Sequence, residues 1–190
     1  NERKIINVAN GSINETSTDA ITGQQLFAIV GSANASGENA TALGNGANAS
    51  GNYSTAVGNN AQSSGNSSTA IGNNANSSGE SSTAIGDGAS ASGNDTVSIG
   101  TNSTASGNGA TAIGSGSNAT GNNSVSLGTN SQASGDDSLA FGTNSTASEV
   151  GTIAMGTNST ASGSYAIAIG TNSTASGPNS MALGNGATSE

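Results

Sequence analysis

Residues 65–78 read Gly65-Asn66-Ser67-Ser68-Thr69-Ala70-Ile71-Gly72-Asn73-Asn74-Ala75-Asn76-Ser77-Ser78, and the chain repeats this unit almost without a change of phase. Two short extended segments stand out in it, each closed by glycine or polar turn residues. In the first, strand alternation sets Ser68 and Ala70 on one face and Thr69 and Ile71 on the other. In the second, residues 74–77, Ala75 and Ser77 share a face opposite the two asparagines.

The period is strict. Gly44, Gly58, Gly72, Gly86, Gly100, Gly114, Gly128, Gly142, Gly156, Gly170 and Gly184 fall fourteen residues apart. A second series, Gly37, Gly51, Gly65, Gly79, Gly93, Gly107, Gly121, Gly135, Gly163 and Gly177, keeps the same period and fails only at Glu149. A fixed short period is the mark of a solenoid in which each repeat is one coil stacked on the next. Glycines at the corners are expected to supply positive φ and tight reversal. On that reading Glu149 replaces a residue whose conformation disfavours a side chain by about 1 kcal/mol, and Gly151 rebuilds the turn.

Composition excludes several function classes. Aromatic residues are 2% and charged residues 7% of the 190, with thirty glycines, a profile that without a period would indicate disorder. The core must therefore be thin and built from small residues. The net charge is −9 with two formal cations, which argues against phosphate neutralisation and polybasic membrane attachment. Histidine and cysteine are absent, so no zinc site, thiol nucleophile, Ser-His arrangement or disulfide is available. A cysteine-free chain suits passage through an oxidising periplasm. There is no signal peptide or apolar spanning stretch, and the abrupt start suggests part of a longer protein.

Small residues recur at equivalent places: Ala42, Ala56, Ala70 and Ala84 in the first segment, Ala47, Ala61, Ala75 and Ala89 in the second, with Ala or Ser onward. Two strands facing each other through Ala and Ser give a flattened two-sided roll. The large residues before the first glycine series then point outward: Leu43, Val57, Ile71, Ile85, Ile99, Ile113, Leu127, Phe141, Met155, Ile169 and Leu183. Two residues earlier stand Val97, Val125, Leu139, Ile153, Ile167 and Met181, with threonine in most other repeats. At about 4.8 Å per coil this stripe runs on the order of 50 Å, too long to leave in water on a monomer. Cyclic closure of parallel rods covers it, and three chains close a triangular core well. The opposite assignment, with the isoleucines and the asparagines inward, predicts a stable monomer instead.

The start of the chain carries a second pattern. Arg3-Lys4-Ile5-Ile6-Asn7-Val8-Ala9-Asn10-Gly11, followed by Asp19-Ala20-Ile21-Thr22-Gly23-Gln24-Gln25-Leu26, resembles the neck of trimeric autotransporter adhesins. The fourteen-residue Ser-Thr/Val-Ala-Ile-Gly unit is similar to the YadA-type head repeat of the same family. The resemblance implies an all-β fold: a homotrimeric, left-handed parallel β-roll over residues 29–190, preceded by a neck over residues 1–28. Its neck residues are Ile5, Asn7, Val8, Asp19, Ala20, Gln25 and Leu26, with Ala20, Leu26 and Phe27 near the trimer axis. Whether residues 19–26 form a short helix or a turn stays open. The neck has an extra stretch at residues 12–18 and precedes the roll rather than following it, as expected of a segment internal to a longer fibre.

Other motifs carry less. Sequons such as Asn102-Ser103-Thr104 follow from a repeat made of Asn, Ser and Thr. The acids Glu38, Glu80, Asp87, Asp95, Asp136, Asp137 and Glu149 are too scattered for a calcium array or a catalytic pair. Threonine runs such as residues 100–106 bring an ice-binding solenoid into consideration, but earlier repeats use Asn there. Hexapeptide-repeat acyltransferases need a histidine and a period of six. No enzyme activity, cofactor, metal or nucleic acid is expected. The resemblance implies adhesion: attachment to host extracellular matrix or cells, and autoaggregation or biofilm formation, at a Gram-negative surface through an outer-membrane anchor outside this sequence. The competing expectation is a passive spacer of the fibre.

Overall fold

The computed structural model describes residues 5–190, the side chain of Ile29 apart; Arg3 and Lys4 of the neck pattern lie outside the described residues. Helix α1, Gly23–Val30, starts at Thr22. The Gln25 amide N–H donates to Thr22 Oγ1 at 3.2 Å, and Gln25 Oε1 accepts the Thr22 N–H at 3.0 Å. This reciprocal capping box starts the helix at Gly23, so of residues 19–26 only Gly23–Leu26 are helical and residues 19–22 lead into it. Gly31 ends it at φ 66, with its N–H donating to Phe27 O.

After the helix come β1 (Asn34–Ala35) and β2 (Thr41–Leu43), and two- and three-residue strands alternate to β23 (Thr188–Ser189). The two-residue strands form one twelve-stranded parallel sheet and the three-residue strands one eleven-stranded parallel sheet. Register never slips: Thr69 pairs with Thr83, Ala70 with Ala84 and Ile71 with Ile85 in one sheet, and Asn76 with Ser90 and Ser77 with Ala91 in the other. Each coil therefore contacts the next at a displacement of fourteen residues. The fold is an all-β parallel solenoid. Its second strand is shorter than the sequence suggests, because Asn74 turns at φ 54 and leaves only Asn76–Ser77 extended.

Between the sheets lies a core of alanine and serine. Ala70, Ala75, Ser68 and Ser77 are fully buried, and the largest fully buried side chains are Thr96 and Thr152. This excludes the arrangement with inward isoleucines. A core of hydroxyls needs partners. Ser77 Oγ and Ser82 Oγ lie 2.6 Å apart, and Ser82 Oγ donates to Gly79 O at 2.6 Å. The same bond back to a corner glycine recurs at Ser68, Ser103, Ser124 and Ser159.

The two glycine series have different causes. Gly72 has φ 138, and a Cβ there would lie 2.7 Å from the Gly86 carbonyl carbon, so conformation and space both demand glycine. Gly93 is not in the positive-φ region; a Cβ on it would meet Gly107 O at 2.6 Å and Ser106 O at 2.7 Å. The second series is thus kept for close approach of backbones, not for φ, which corrects the expectation. The left-handed residue sits two places later, as Ser67, Asp95, Asn123 or Asp137, and as Gly151 in the coil of Glu149. Gly151 accordingly occupies an ordinary corner position rather than a rebuilt one. Glu149 is exposed where Gly135 and Gly163 are buried.

Candidate oligomer interface and outer faces

Because alanine fills the coil, every large apolar side chain of the repeats stands outside it. Leu43 is 42%, Ile71 38%, Phe141 46%, Met155 37% and Leu183 70% exposed. Val57, Ile85, Ile99, Ile113, Leu127 and Ile169 are half-buried, each covered on its flanks by its counterparts in adjacent coils. The strict register turns these eleven side chains into one straight column along the outer face of the eleven-stranded sheet.

A second column on the same face changes character along the rod. It begins Thr41, Thr55, Thr69 and Thr83, and ends Leu139, Ile153, Ile167 and Met181. The apolar strip is one side chain wide at the N-terminal end of the solenoid and two wide at the other.

The remaining outer surfaces are polar and tied together along the rod. On the twelve-stranded sheet, Asn34 Nδ2 donates to Asn48 Oδ1 at 3.0 Å and Asn48 Nδ2 to Gln62 Oε1 at 3.2 Å. At several corners before the three-residue strands, a backbone N–H donates to the side-chain oxygen one coil on. Glu80 to Asn94, Asn94 to Asn108, Asn108 to Asn122 and Asn122 to Asp136 form such a ladder at 2.8–3.1 Å. It stops where Val150, Ser164 and Pro178 take the place of the amide. Sequence reading found neither ladder; the signal was the recurrence of Asn or Asp directly after the second glycine series.

In the segment before the solenoid, Gln25 is the organising residue. Its Oε1 accepts from Gly11 N at 3.0 Å and its Nε2 donates to Gly11 O at 2.6 Å, tying α1 to the preceding chain. Asp19 Oδ2 accepts the Ser12 N–H at 2.9 Å, and this bond, with one from the Ser12 side chain, holds the Asp19 carboxyl below its ordinary range. Asn7 is left-handed at φ 60. Ile5, Val8, Ala20, Asn7 and Thr22 line an open cavity of about 680 Å³, and Ile5 is 89% and Leu26 50% exposed. Among the described residues no three His, Cys, Asp or Glu side chains gather to hold a metal, and no helix is long and apolar enough to cross a membrane.

The family model described as "YadA head domain repeat (2 copies)" matches residues 35–61, 63–89, 91–117, 105–131, 119–145, 133–159, 147–173 and 161–187. These matches follow the coil register over nearly the whole solenoid. The chain belongs to the YadA head repeat family. Among solved structures, it is similar to the collagen-binding domain of the Yersinia adhesin YadA, at 31% identity and a TM-score of 0.58. That likeness covers 60% of this chain and 64% of the Yersinia chain. No curated protein matches it. The YadA-type head is an adhesin module, and what this chain shares with it is the repeat sequence and the fold.

Proposed function

We propose that the chain is a head segment, with a neck in residues 1–28 and the roll in residues 29–190, of a homotrimeric autotransporter adhesin. It is displayed at a Gram-negative cell surface and tethered to the outer membrane by an anchor outside this sequence. The observation that carries the trimer is the exposed column of Leu43, Ile71, Phe141, Met155 and their neighbours on a coil whose interior is already full. Burying eleven half-exposed side chains on a shared axis stabilises association by on the order of 10 kcal/mol per chain. The exposed face of the neck cavity, with Ile5, Val8, Ala20 and Leu26, is covered in the same trimer, where Asn7, Asp19 and Gln25 hold the neck's shape.

The trimer's polar faces then meet host extracellular matrix or cell surfaces, and like faces on neighbouring cells support autoaggregation and biofilm formation. Weak contacts repeated along a rod and across three chains add through avidity. The adhesin head is a structural module and no reaction is assigned to it. Solution mass by sedimentation tests the trimer. Solid-phase binding to collagen, fibronectin and laminin tests attachment, with collagen first because the similar Yersinia domain is a collagen-binding one. Saturable binding to a matrix protein is the expected result. A trimer that binds none of them is a spacer, the reading that its uniform polar faces favour.

A further inference from the structure

Both tyrosines of the chain, Tyr53 and Tyr165, occupy the same corner position, the left-handed residue before a three-residue strand, at φ 57 and φ 59. Elsewhere that position holds small or polar residues such as Asn39, Ser67, Asp95 and Asn123. Bulky residues there are uncommon, and such outliers gather at functional sites. The rings are not hidden: Tyr53 is 60% and Tyr165 59% exposed. Tyr165 lies across Gly151, since a Cβ on Gly151 would come within 2.6 Å of its Cδ1. The ring therefore leans one coil back over Gly151, in a coil that also carries the exposed Glu149. Tyr53 is tied to the coil before it through the backbone, its N–H donating to the carbonyl of the exposed Glu38 at 2.7 Å, as the Tyr165 N–H donates to Val150 O at 2.9 Å.

We propose that this corner is a two-point docking edge for a polypeptide bearing lysine or arginine side chains, each cation lying on a tyrosine ring beside a carboxylate. The negative face of an aromatic ring attracts a cation, and residues 5–190 contain no Lys or Arg to satisfy the ring or the acids from within the chain. The two rings are eight coils apart, about 38 Å at 4.8 Å per coil, so one extended partner spans both. This deepens the adhesive reading by naming a partner chemistry, and it rests on that reading only in requiring the corner to stay free in the assembled head.

The chain has no tryptophan, so tyrosine emission reports these two corners alone. A lysine- and arginine-rich peptide without aromatic residues is titrated into the full chain, with a glutamine-substituted peptide and an uncharged proline-rich peptide as references. The basic peptide changes the emission saturably, salt weakens it, and the references do not bind. Y53N combined with Y165N, asparagine being native to this position at Asn39 and Asn179, lowers calorimetric affinity by roughly tenfold or more. Solution mass and melting stay as in the parent. Unmoved emission at saturating peptide, equal affinity in the variant, or equal binding of the proline-rich peptide overturns the proposal. So does a fall in mass or melting of the variant, which would place the tyrosines in packing between copies. Matrix binding is measured separately, so loss of this edge leaves the adhesive reading standing or falling on its own assay.

Discussion

Replacing Gly93 by alanine separates the two causes of the glycine pattern. The added Cβ falls 2.6 Å from Gly107 O, 2.7 Å from Ser106 O and 2.8 Å from the Gly107 carbonyl carbon. All three are backbone atoms, and Ser106 is fixed in turn by its N–H bond to Ala119 O at 2.9 Å. No rotamer change relieves the overlap, so two coils must separate by roughly half an ångström; overpacking of this kind costs about 1–3 kcal/mol, and the pinned neighbours set the upper half of that range. For a chain of this size that lowers the melting temperature by about 4–12 °C. Gly88→Asn is the control. Gly88 is left-handed at φ 66, but asparagine fills the equivalent corner at Asn74, Asn102 and Asn130. A Cβ there meets the Asn102 side chain, which can rotate away. Its expected effect is within about 0.5 kcal/mol. Thermal unfolding at matched concentration, with amide exchange across residues 91–107, reads both. Gly93→Ala melting with the parent while Gly88→Asn melts early would refute the close-approach explanation.

Ile85→Asp together with Ile113→Asp places two carboxylates in the apolar column and is expected to dissociate the oligomer to folded monomer; a trimer surviving both changes removes the axis assignment. Ser82→Ala is expected to cost more than Ser77→Ala, by about 1 kcal/mol. Loss of Ser82 strands the Ser77 hydroxyl, whereas Ser82 keeps its bond to Gly79 O when Ser77 is lost; urea unfolding of the two singles and the double tests the order. In the segment before the helix, the Asp19 carboxyl is depressed by the Ser12 backbone N–H. Its contribution is therefore present above the unfolded carboxyl's pKa and lost as pH falls through the folded one. Acidification is expected to shift the Ser12 amide proton in NMR spectra of the parent, and Asp19→Asn to abolish that response while the head coils keep their spectra.

Strand faces were readable because alternation needs only a local rule: Ser68 and Ala70 in, Thr69 and Ile71 out, as the structure has them. The coil stacking was readable because the period is exact in phase. The cause of each glycine was not, since Gly72 and Gly93 look alike in sequence and differ only in φ and in what lies one coil away. That distance is a tertiary quantity. The helix was within reach: Thr22 and Gln25 stand three apart, as a capping box requires, but the glycine at its first position and its short length masked it. The corner ladder of Asn94, Asn108 and Asn122 shows only when the repeat is stacked, because its bonds join residues fourteen apart. The apolar column was legible as a face to be covered, and its chemistry named no partner beyond another copy.

The unbroken one-coil register also bears on how such a protein changes length over generations. Successive coils near the end are almost the same text, Gly-Thr-Asn-Ser-Thr-Ala-Ser at residues 142–148 being followed by identical stretches at 156–162 and 170–176. Each coil touches only its neighbours, and any such coil presents the same edges. Unequal crossing-over between the encoding repeats therefore adds or deletes whole coils and yields a rod that still stacks, about 4.8 Å taller or shorter per event. An insertion of any other size keeps the pairings beyond it only by looping out at a corner. Rod length is thus a heritable trait that varies in integer steps, without passing through a misfolded intermediate.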